Sequence, residues 1–418
     1  MARPRRGRKH VIAMVGLPAR GKTFTARKLS GYLSWLGYPT GVFNVGERRR
    51  SELGPGQSHE FFDPNNRSAV AQRRALGAAV LDDAFAWLRG HGRVAIYDAT
   101  NSTRGQRDAI RARAAKEDRD LLFVEIANDE PEVIEANLRE TKLGSPDYAG
   151  APEERALADF RARIAHYARA YEPLAGDEGA WLRLADRGRE VVIHEVYGYV
   201  QGRIVFFLTN LQVSRRPVWI TRHGESEWNL QGRIGGDSLL APRGHEYARN
   251  LAAHVRAHFG ATSDLDVWTS TLRRTHETAA PLGIEMGEWR ALDEINAGAC
   301  EGMTYAEIQR DLPAEFEARR RDKLAYRYPR GESYQDVIQR LDRVIIELER
   351  YRTPVLVIAH RAVLRALYGY FQQLPRAEVP HLEMPLHTVI KLTPTAYGCL
   401  EERAALAPQL GEEAGGLP

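Results

Sequence analysis

Only two cysteines, Cys300 and Cys399, stand in a chain of 418 residues. Two distant thiols make neither a disulfide framework nor a cysteine-based metal site, so a reducing cytoplasm is the expected compartment. Long hydrophobic runs are missing as well. After the basic start RPRRGRK the first apolar run is Val11–Val15, too short for a signal-peptide core, and nothing approaches a membrane span. A membrane is therefore not an expected partner. No charge sign dominates: 59 Lys and Arg face 55 Asp and Glu, a net charge of +4. With the basic charge unconcentrated and no aromatic-rich strand-binding stretch, nucleic acid is not expected either. What the basic side does hold is mostly arginine, whose planar fork suits phosphate groups.

The length is too great for one core, and no internal repeat divides it. Short apolar runs alternate with amphipathic stretches. Val11–Val15, Gly41–Val45, Val94–Tyr97 and Leu121–Ile126 read as strands, and Phe24–Leu36, Ala69–Leu88 and Asp159–Tyr171 as helices. Val191–Val196 and Ile204–Leu208 read as two further strands closing this half. The pattern restarts at Val218–Thr221, with strands at Asp266–Trp268 and Val355–Ala359 and a helix at Tyr334–Tyr351. This alternation predicts an α/β fold of two doubly wound domains with mainly parallel sheets. The expected boundaries are 1–213 and 214–400, with 401–418 a loosely ordered tail rich in Ala, Gly and Glu.

Gly16-Leu17-Pro18-Ala19-Arg20-Gly21-Lys22-Thr23 follows the first strand and opens the first helix. Glycines at these spacings, Gly16 and Gly21, let the backbone N–H groups of the loop turn inward around phosphate oxygens. Lys22 then reaches the β- and γ-phosphates of a nucleotide, and the Thr23 hydroxyl can ligate Mg²⁺. Tyr97-Asp98-Ala99-Thr100-Asn101 ends another apolar strand, at the edge where open α/β sheets bind ligands. Asp98 there can hold Mg²⁺, take a proton from an acceptor, or simply cap a helix; Thr100 can hold a sugar hydroxyl.

Arg222-His223-Gly224-Glu225 follows the first strand of the second half. RHGE after a strand resembles the histidine phosphatase superfamily, and the rest of the constellation that the resemblance implies is present: Asn229, Arg274 in WTSTLRRT, Glu294 in DEINAG, and His360 after the strand Val355–Ala359. A histidine that attacks phosphorus needs a neutral ring nitrogen. Arg222, Arg274 and His360 would neutralise the equatorial oxygens, and Glu294 would protonate the leaving oxygen and then activate water. No metal-ligand cluster is evident in this half, and the chemistry requires none.

The wording of both halves resembles one bifunctional family, 6-phosphofructo-2-kinase/fructose-2,6-bisphosphatase, over residues 11–400. GLPARGKT, FNVGE-x-RR, DATN, KLGSPDY and F-x-x-RI-x-x-Y carry the resemblance in the first half. NLQGRIGGDS, MTYAEIQ, YRYPRGESYQD, VIQRLDRVI and PLHTVIKLTP carry it in the second. It implies ATP with Mg²⁺ as cofactors of the first half, none for the second, and sugar phosphates as partners. Lys22, Thr23, Asp98 and Lys142 would serve phosphoryl transfer, with Ala19, Arg20 and Asn137 on the nucleotide side. Arg49, Arg73, Thr100, Arg163 and Tyr167 would hold the sugar phosphate. In the second half Asn229, Gly235, Tyr305, Arg319, Lys323, Arg327, Tyr334, Arg361 and Arg365 would hold the bisphosphate, a dense set of cations that suits two phosphates. A homodimer through the first half is also implied.

Besides Glu301-Gly302, where the family has a Glu-Glu pair, three positions depart from it. Arg48 replaces an aromatic residue, Gln106 replaces an arginine for which neighbouring Arg107 could substitute, and Arg361 replaces a glutamine after the second histidine. All three are expected near the sugar-phosphate sites. The readings carried forward are therefore synthesis and hydrolysis of fructose 2,6-bisphosphate, the same chemistries on another sugar phosphate, and one active half regulated by the other. A nucleotide-sensing scaffold or a nucleic-acid-end kinase–phosphatase is the reading of a different class.

Overall fold

A computed structural model describes residues 8–142, 146–212, 216–260, 264–395 and 398–408. The chain separates into two compact units, Met1–Val213 and Ser214–Pro418.

The first unit is built on six strands: β1 (His10–Val15), β2 (Thr40–Asn44), β3 (Val94–Asp98), β4 (Asp120–Ala127), β5 (Trp181–Ala185) and β6 (Glu190–His194). They lie in the order β2-β3-β1-β4-β5-β6, parallel except for β6, which runs antiparallel to β5. Every residue of Val11–Val15 is fully buried, as expected of a central strand covered on both faces. The chain leaves β1 for β2 on one side and later returns to β4 on the other. The crevice at the carboxyl end of β1 is therefore the topological switch point of the sheet.

The second unit has β7 (Val218–Arg222), β8 (Asp266–Thr269), β9 (Met286–Glu288), β10 (Val355–Ala359), β11 (Thr388–Thr395) and β12 (Gly398–Ala405). Their order is β12-β11-β7-β10-β8-β9, with β7, β10, β8 and β9 mutually parallel and β11 and β12 antiparallel. Register pairs Arg222 with Ala359, so the residues that follow, His223 and His360, leave adjacent strands side by side.

Two expectations are corrected. Ile204–Leu208 is not a strand but part of the helix Tyr199–Asn210, whose buried residues Gln201, Ile204, Phe207 and Leu208 fall on one helical face. A five-residue apolar run carries both periods, and the sequence alone does not separate them. The tail reading was also too early. Glu401–Ala405 belong to β12 and pair with β11 along its length, while 409–418 lie outside the described residues.

Candidate active sites

At the switch point of the first sheet, Gly16 holds φ +131°, and a Cβ there would stand 2.5 Å from the Ile126 carbonyl oxygen. Only glycine fits this approach of the loop to β4. The Gly16 N–H donates to the Thr100 carbonyl at 3.0 Å, and Asn101 Nδ2 donates to the Met14 carbonyl at 2.7 Å. The DATN turn thus clamps the glycine loop from below. Asn137 Nδ2 and Asn128 Nδ2 donate to the carbonyls of Ala19 and Arg20 at 3.0 and 3.2 Å. Arg20 itself pairs with Asp129 at 2.9 Å. Beside the loop lies a cavity of about 340 Å³, lined by Arg20, Pro131, Ile134, Glu135, Leu138, Arg161, Ile164 and Ala165.

The Lys22 ammonium is buried and donates to the Leu17 carbonyl at 2.7 Å. Burial brings its pKa down to about 8, against the pull of nearby Asp98. Asp98 is pushed the other way: burial raises its pKa, opposed by Lys22 and by donors. Thr23 Oγ1 donates to Asp98 Oδ2 at 2.8 Å, and Asn44 Nδ2 donates to the same oxygen. Asn44 was not singled out from the sequence, although it stands in the FNVGE motif. Its Oδ1 also caps the helix Val45–Leu53 by accepting from Glu47 N–H. Lys142 ends the helix Pro131–Lys142, and its side chain, like Leu143–Ser145, lies outside the described residues.

The arginines expected on the sugar side gather around two aromatic rings. Arg163 lies 3.6 Å and Arg49 5.5 Å from the centre of the Phe62 ring, and Arg73 lies 5.7 Å from that of Phe61. Tyr167 packs on Phe62. Burial lowers the pKa of both Arg49 and Arg73. Arg49 pairs with Asp147 through one nitrogen, while its Nε and Nη1, and Arg163 Nε, are buried without protein partners. Buried donors left open in this way fit an anion.

Both departures in the first unit fall outside this cluster. Arg48 is on the exposed side of its helix, paired with Glu52 and with Asp83 at 3.1 Å. Asp83 lies ten residues beyond Arg73 in the helix Arg67–Arg89, about 15 Å along its axis. Gln106 is exposed and closes a capping box with Thr103. Arg107 does not replace a sugar-phosphate arginine. It is 1% exposed, forks onto Glu178 at 2.6 and 2.9 Å, and donates to the carbonyls of Asn101 and Glu172. Its role is to pin the DATN turn.

In the second unit the rings of His223 and His360 are 5.0 Å apart. His223 Nδ1 is 2.7 Å from the Gly224 carbonyl. A carbonyl only accepts, so Nδ1 carries the proton and Nε2 keeps its lone pair. Burial, then the charges of Arg274 and Arg222, hold the His223 pKa well below the ordinary range. Gly224 is obligatory: a Cβ would lie 2.5 Å from the Gly244 carbonyl oxygen. Arg274 donates to the Gly236 carbonyl at 2.7 Å and through Nε to His360 Nδ1 at 3.3 Å. Arg222 donates to the Met384 carbonyl at 3.1 Å, and its Nε is buried without a partner. Burial first, then Arg361, brings its pKa down to about 10.

Glu294 Oε1 accepts the N–H of Ile295 and that of Ala362, at the start of the helix Arg361–Phe371, at 2.9 and 3.1 Å. Asn229 Oδ1 accepts from Ser226 N–H, closing a capping box. Gly235 lies in the turn whose next amide, Gly236 N–H, donates to Glu301. Arg319 donates to the hydroxyls of Tyr328 and Tyr305 at 2.8 and 2.9 Å, and Arg365 to that of Tyr334 at 3.0 Å. Lys323 donates to the Pro380 carbonyl at 2.8 Å. Burial, then Arg365, Arg319 and Arg361, bring its pKa down to about 7. Arg361 is exposed and has no side-chain partner among the described residues. Arg327 sits apart, 60% exposed and paired with Asp336.

Comparison with known proteins matches residues 2–215 to the 6-phosphofructo-2-kinase family and residues 218–405 to the histidine phosphatase superfamily (branch 1). A 6-phosphofructo-2-kinase/fructose-2,6-bisphosphatase of Arabidopsis thaliana is 47% identical over 97% of this chain, which spans 55% of that relative's length. Relatives of the same name from Gallus gallus and Homo sapiens are 47 and 46% identical over 93 and 94% of the chain, and 83 and 84% of their own lengths. With a kinase domain and a histidine phosphatase domain in one polypeptide, the chain belongs to the 6-phosphofructo-2-kinase/fructose-2,6-bisphosphatase family.

Proposed function

We propose that the first unit transfers the γ-phosphoryl group of ATP to O2 of fructose 6-phosphate, and that the second hydrolyses the product through a phosphohistidine at His223. The observation that carries this is the pairing of two opposed phosphoryl-transfer sites, each at the carboxyl edge of its own sheet, in a chain of this family.

In the kinase half the glycine loop and Lys22 cradle the nucleotide phosphates, and the cavity near Asn137 takes the base. Thr23 and Asp98 are hard oxygen donors that fit Mg²⁺ and would hold it; when bound, the ion neutralises charge on the phosphate oxygens. Among the described residues no group of three or more His, Cys, Asp or Glu could hold a metal, consistent with an ion shared with substrate phosphates. Asp98 Oδ2 is occupied by Thr23 and Asn44, which leaves Oδ1 to face either the ion or the acceptor hydroxyl. Thr100 meets the sugar hydroxyls, and Arg49, Arg73, Arg163 and Tyr167 the sugar phosphate.

In the phosphatase half His223 Nε2 attacks the 2-phosphate, the sugar oxygen leaves with a proton from Glu294, and water then releases inorganic phosphate. Arg222, Arg274, His360 and Asn229 hold the phosphoryl oxygens. Tyr305, Arg319, Lys323, Tyr334, Arg361 and Arg365 hold the remainder of the sugar bisphosphate, with Gly235 and Arg327 at its margin.

With MgATP and a panel of sugar phosphates and short nucleic acids, an acid-labile hexose bisphosphate should form from fructose 6-phosphate, because O2 phosphorylation makes a ketal phosphate. Preference for another acceptor moves the assignment to that compound. No transfer at any enzyme level rejects it. Substrate labelled at the 2-phosphate should leave an acid-labile label that His223→Ala abolishes.

No helix among the described residues is long and apolar enough to cross a membrane. The free thiols Cys300 and Cys399 support a cytoplasmic setting. A homodimer of the first unit is supported by exposed Ile193 on edge strand β6 and by exposed Tyr197, Tyr199 and Phe206 beyond it. Its mass in solution tests this.

A further inference from the structure

Ser270, Thr275 and His360 are all fully buried, and their hydrogen bonds determine each other. Thr275 Oγ1 lies 2.8 and 3.1 Å from the carbonyls of Leu272 and Ser270, so its one hydroxyl proton goes to backbone. Thr275 Oγ1 then accepts from the Ser270 hydroxyl at 2.9 Å. With its proton spent there, Ser270 Oγ accepts from Leu272 N–H at 3.1 Å and faces His360 Nε2 at 2.7 Å. A 2.7 Å contact to an oxygen without a proton to give requires the nitrogen to donate. His360 therefore carries its proton on Nε2. This agrees with the opposite side of the ring, where Nδ1 accepts from Arg274 Nε.

We infer that Ser270 is a positioning residue of the phosphatase half: with Thr275 it fixes the tautomer and orientation of His360, so that Nδ1 is the nitrogen that becomes cationic when a phosphoryl group arrives. The inference rests on the phosphohistidine reading above. In the free site the groups facing His360 are mostly repulsive to a proton: Arg274, His223, Arg222 and Arg340. Glu294 is the nearby counter-charge, held at the Ala362 amide one residue beyond the neighbouring Arg361. A phosphoryl dianion adds negative charge among these cations. One proton then moves from solvent to Nδ1, the Arg274 Nε–H turns from that nitrogen to the phosphoryl group, and the new N–H donates to a phosphoryl oxygen while Nε2–H stays on Ser270. Without the serine oxygen, Nε2–H is left buried and unsatisfied, which disfavours the cation.

The test uses the full chain with fructose 2,6-bisphosphate labelled at the 2-phosphate, following phosphoenzyme formation in single turnovers from pH 5.5 to 9. The kinase activity of the same preparation reports folding of the rest of the molecule. Ser270→Ala should slow phosphoenzyme formation by about tenfold or more, the effect of about 1.4 kcal/mol or more of lost transition-state stabilisation. Its alkaline limb should move to lower pH and the half-saturating substrate concentration should change little. Ser270→Cys, close in size but a poor acceptor, should behave alike and serves if the alanine variant is unstable. An unchanged pH profile with either variant overturns the inference, as does a loss carried entirely by substrate affinity. A wild-type protein that forms no phosphoenzyme rejects the phosphohistidine reading instead.

Discussion

Two lysines in this chain sit where their charge is most useful and most costly. Lys22 and Lys323 are brought down to about 8 and about 7 by burial. For Lys323 affinity and stability run in opposite directions with pH. The unfolded chain, with an ordinary lysine pKa, binds more protons than the folded one between about pH 7 and 10.5, so the Lys323 contribution to stability improves as pH rises through that window. The same deprotonation removes a cation from the proposed bisphosphate site. The KM for fructose 2,6-bisphosphate should therefore climb above pH 7, and a steady-state pH series measures it. Lys323→Arg should flatten that rise, since a guanidinium stays protonated throughout. A KM that rises equally in the arginine variant would assign the titration to another group.

At the scale of elements, the short helical turn His59–Phe62 does more than its sequence announces. Its two rings carry three arginines, Arg49, Arg73 and Arg163. Cation–π contacts contribute about 0.5–2 kcal/mol each, so Phe62→Leu should raise the KM for the sugar phosphate roughly 2- to 30-fold for each arginine it releases. None of the three arginines belongs to the glycine loop, so the KM for ATP should stay near its wild-type value. Initial rates with each substrate varied in turn decide it; a parallel rise in both constants would mean that the turn supports the whole unit. The turn was not legible in the sequence, because its partners are distant: Arg163 lies on the helix Glu153–Ala168, far along the chain. Ser270 was missed for the same reason, its histidine being 90 residues away. The glycine loop and RHGE were legible because a strand end and the turn after it are local, and their geometry follows from neighbouring residues. The segment Ile204–Leu208 failed in the opposite sense, since too short a window left its period undecided. Arg107 shows a third limit. An arginine beside a ligand motif looks like a ligand, and only its burial against Glu178 reveals a brace.

For the molecule as a whole, the two units carry separate sheets and separate cores, one around Val15, Tyr97 and Phe123, the other around Trp219, Leu251 and Ile358. A change confined to one site should leave the chemistry of the other intact. The two proposed reactions are opposed. One converts fructose 6-phosphate and ATP to bisphosphate and ADP, and the other converts bisphosphate and water back to fructose 6-phosphate and inorganic phosphate. Together they amount to ATP hydrolysis. Wild-type protein given fructose 6-phosphate and excess MgATP should accumulate bisphosphate to a plateau while ADP and inorganic phosphate continue to rise. His223→Ala removes the nucleophile from a buried site in the second unit. That variant should form bisphosphate and ADP in equal amounts with no inorganic phosphate. Coupled measurement of the three products over one time course separates the cases. If ADP formation in the wild type stops when the bisphosphate levels off, the second unit is not turning over its neighbour's product, and the pairing of the two sites serves something other than opposed catalysis.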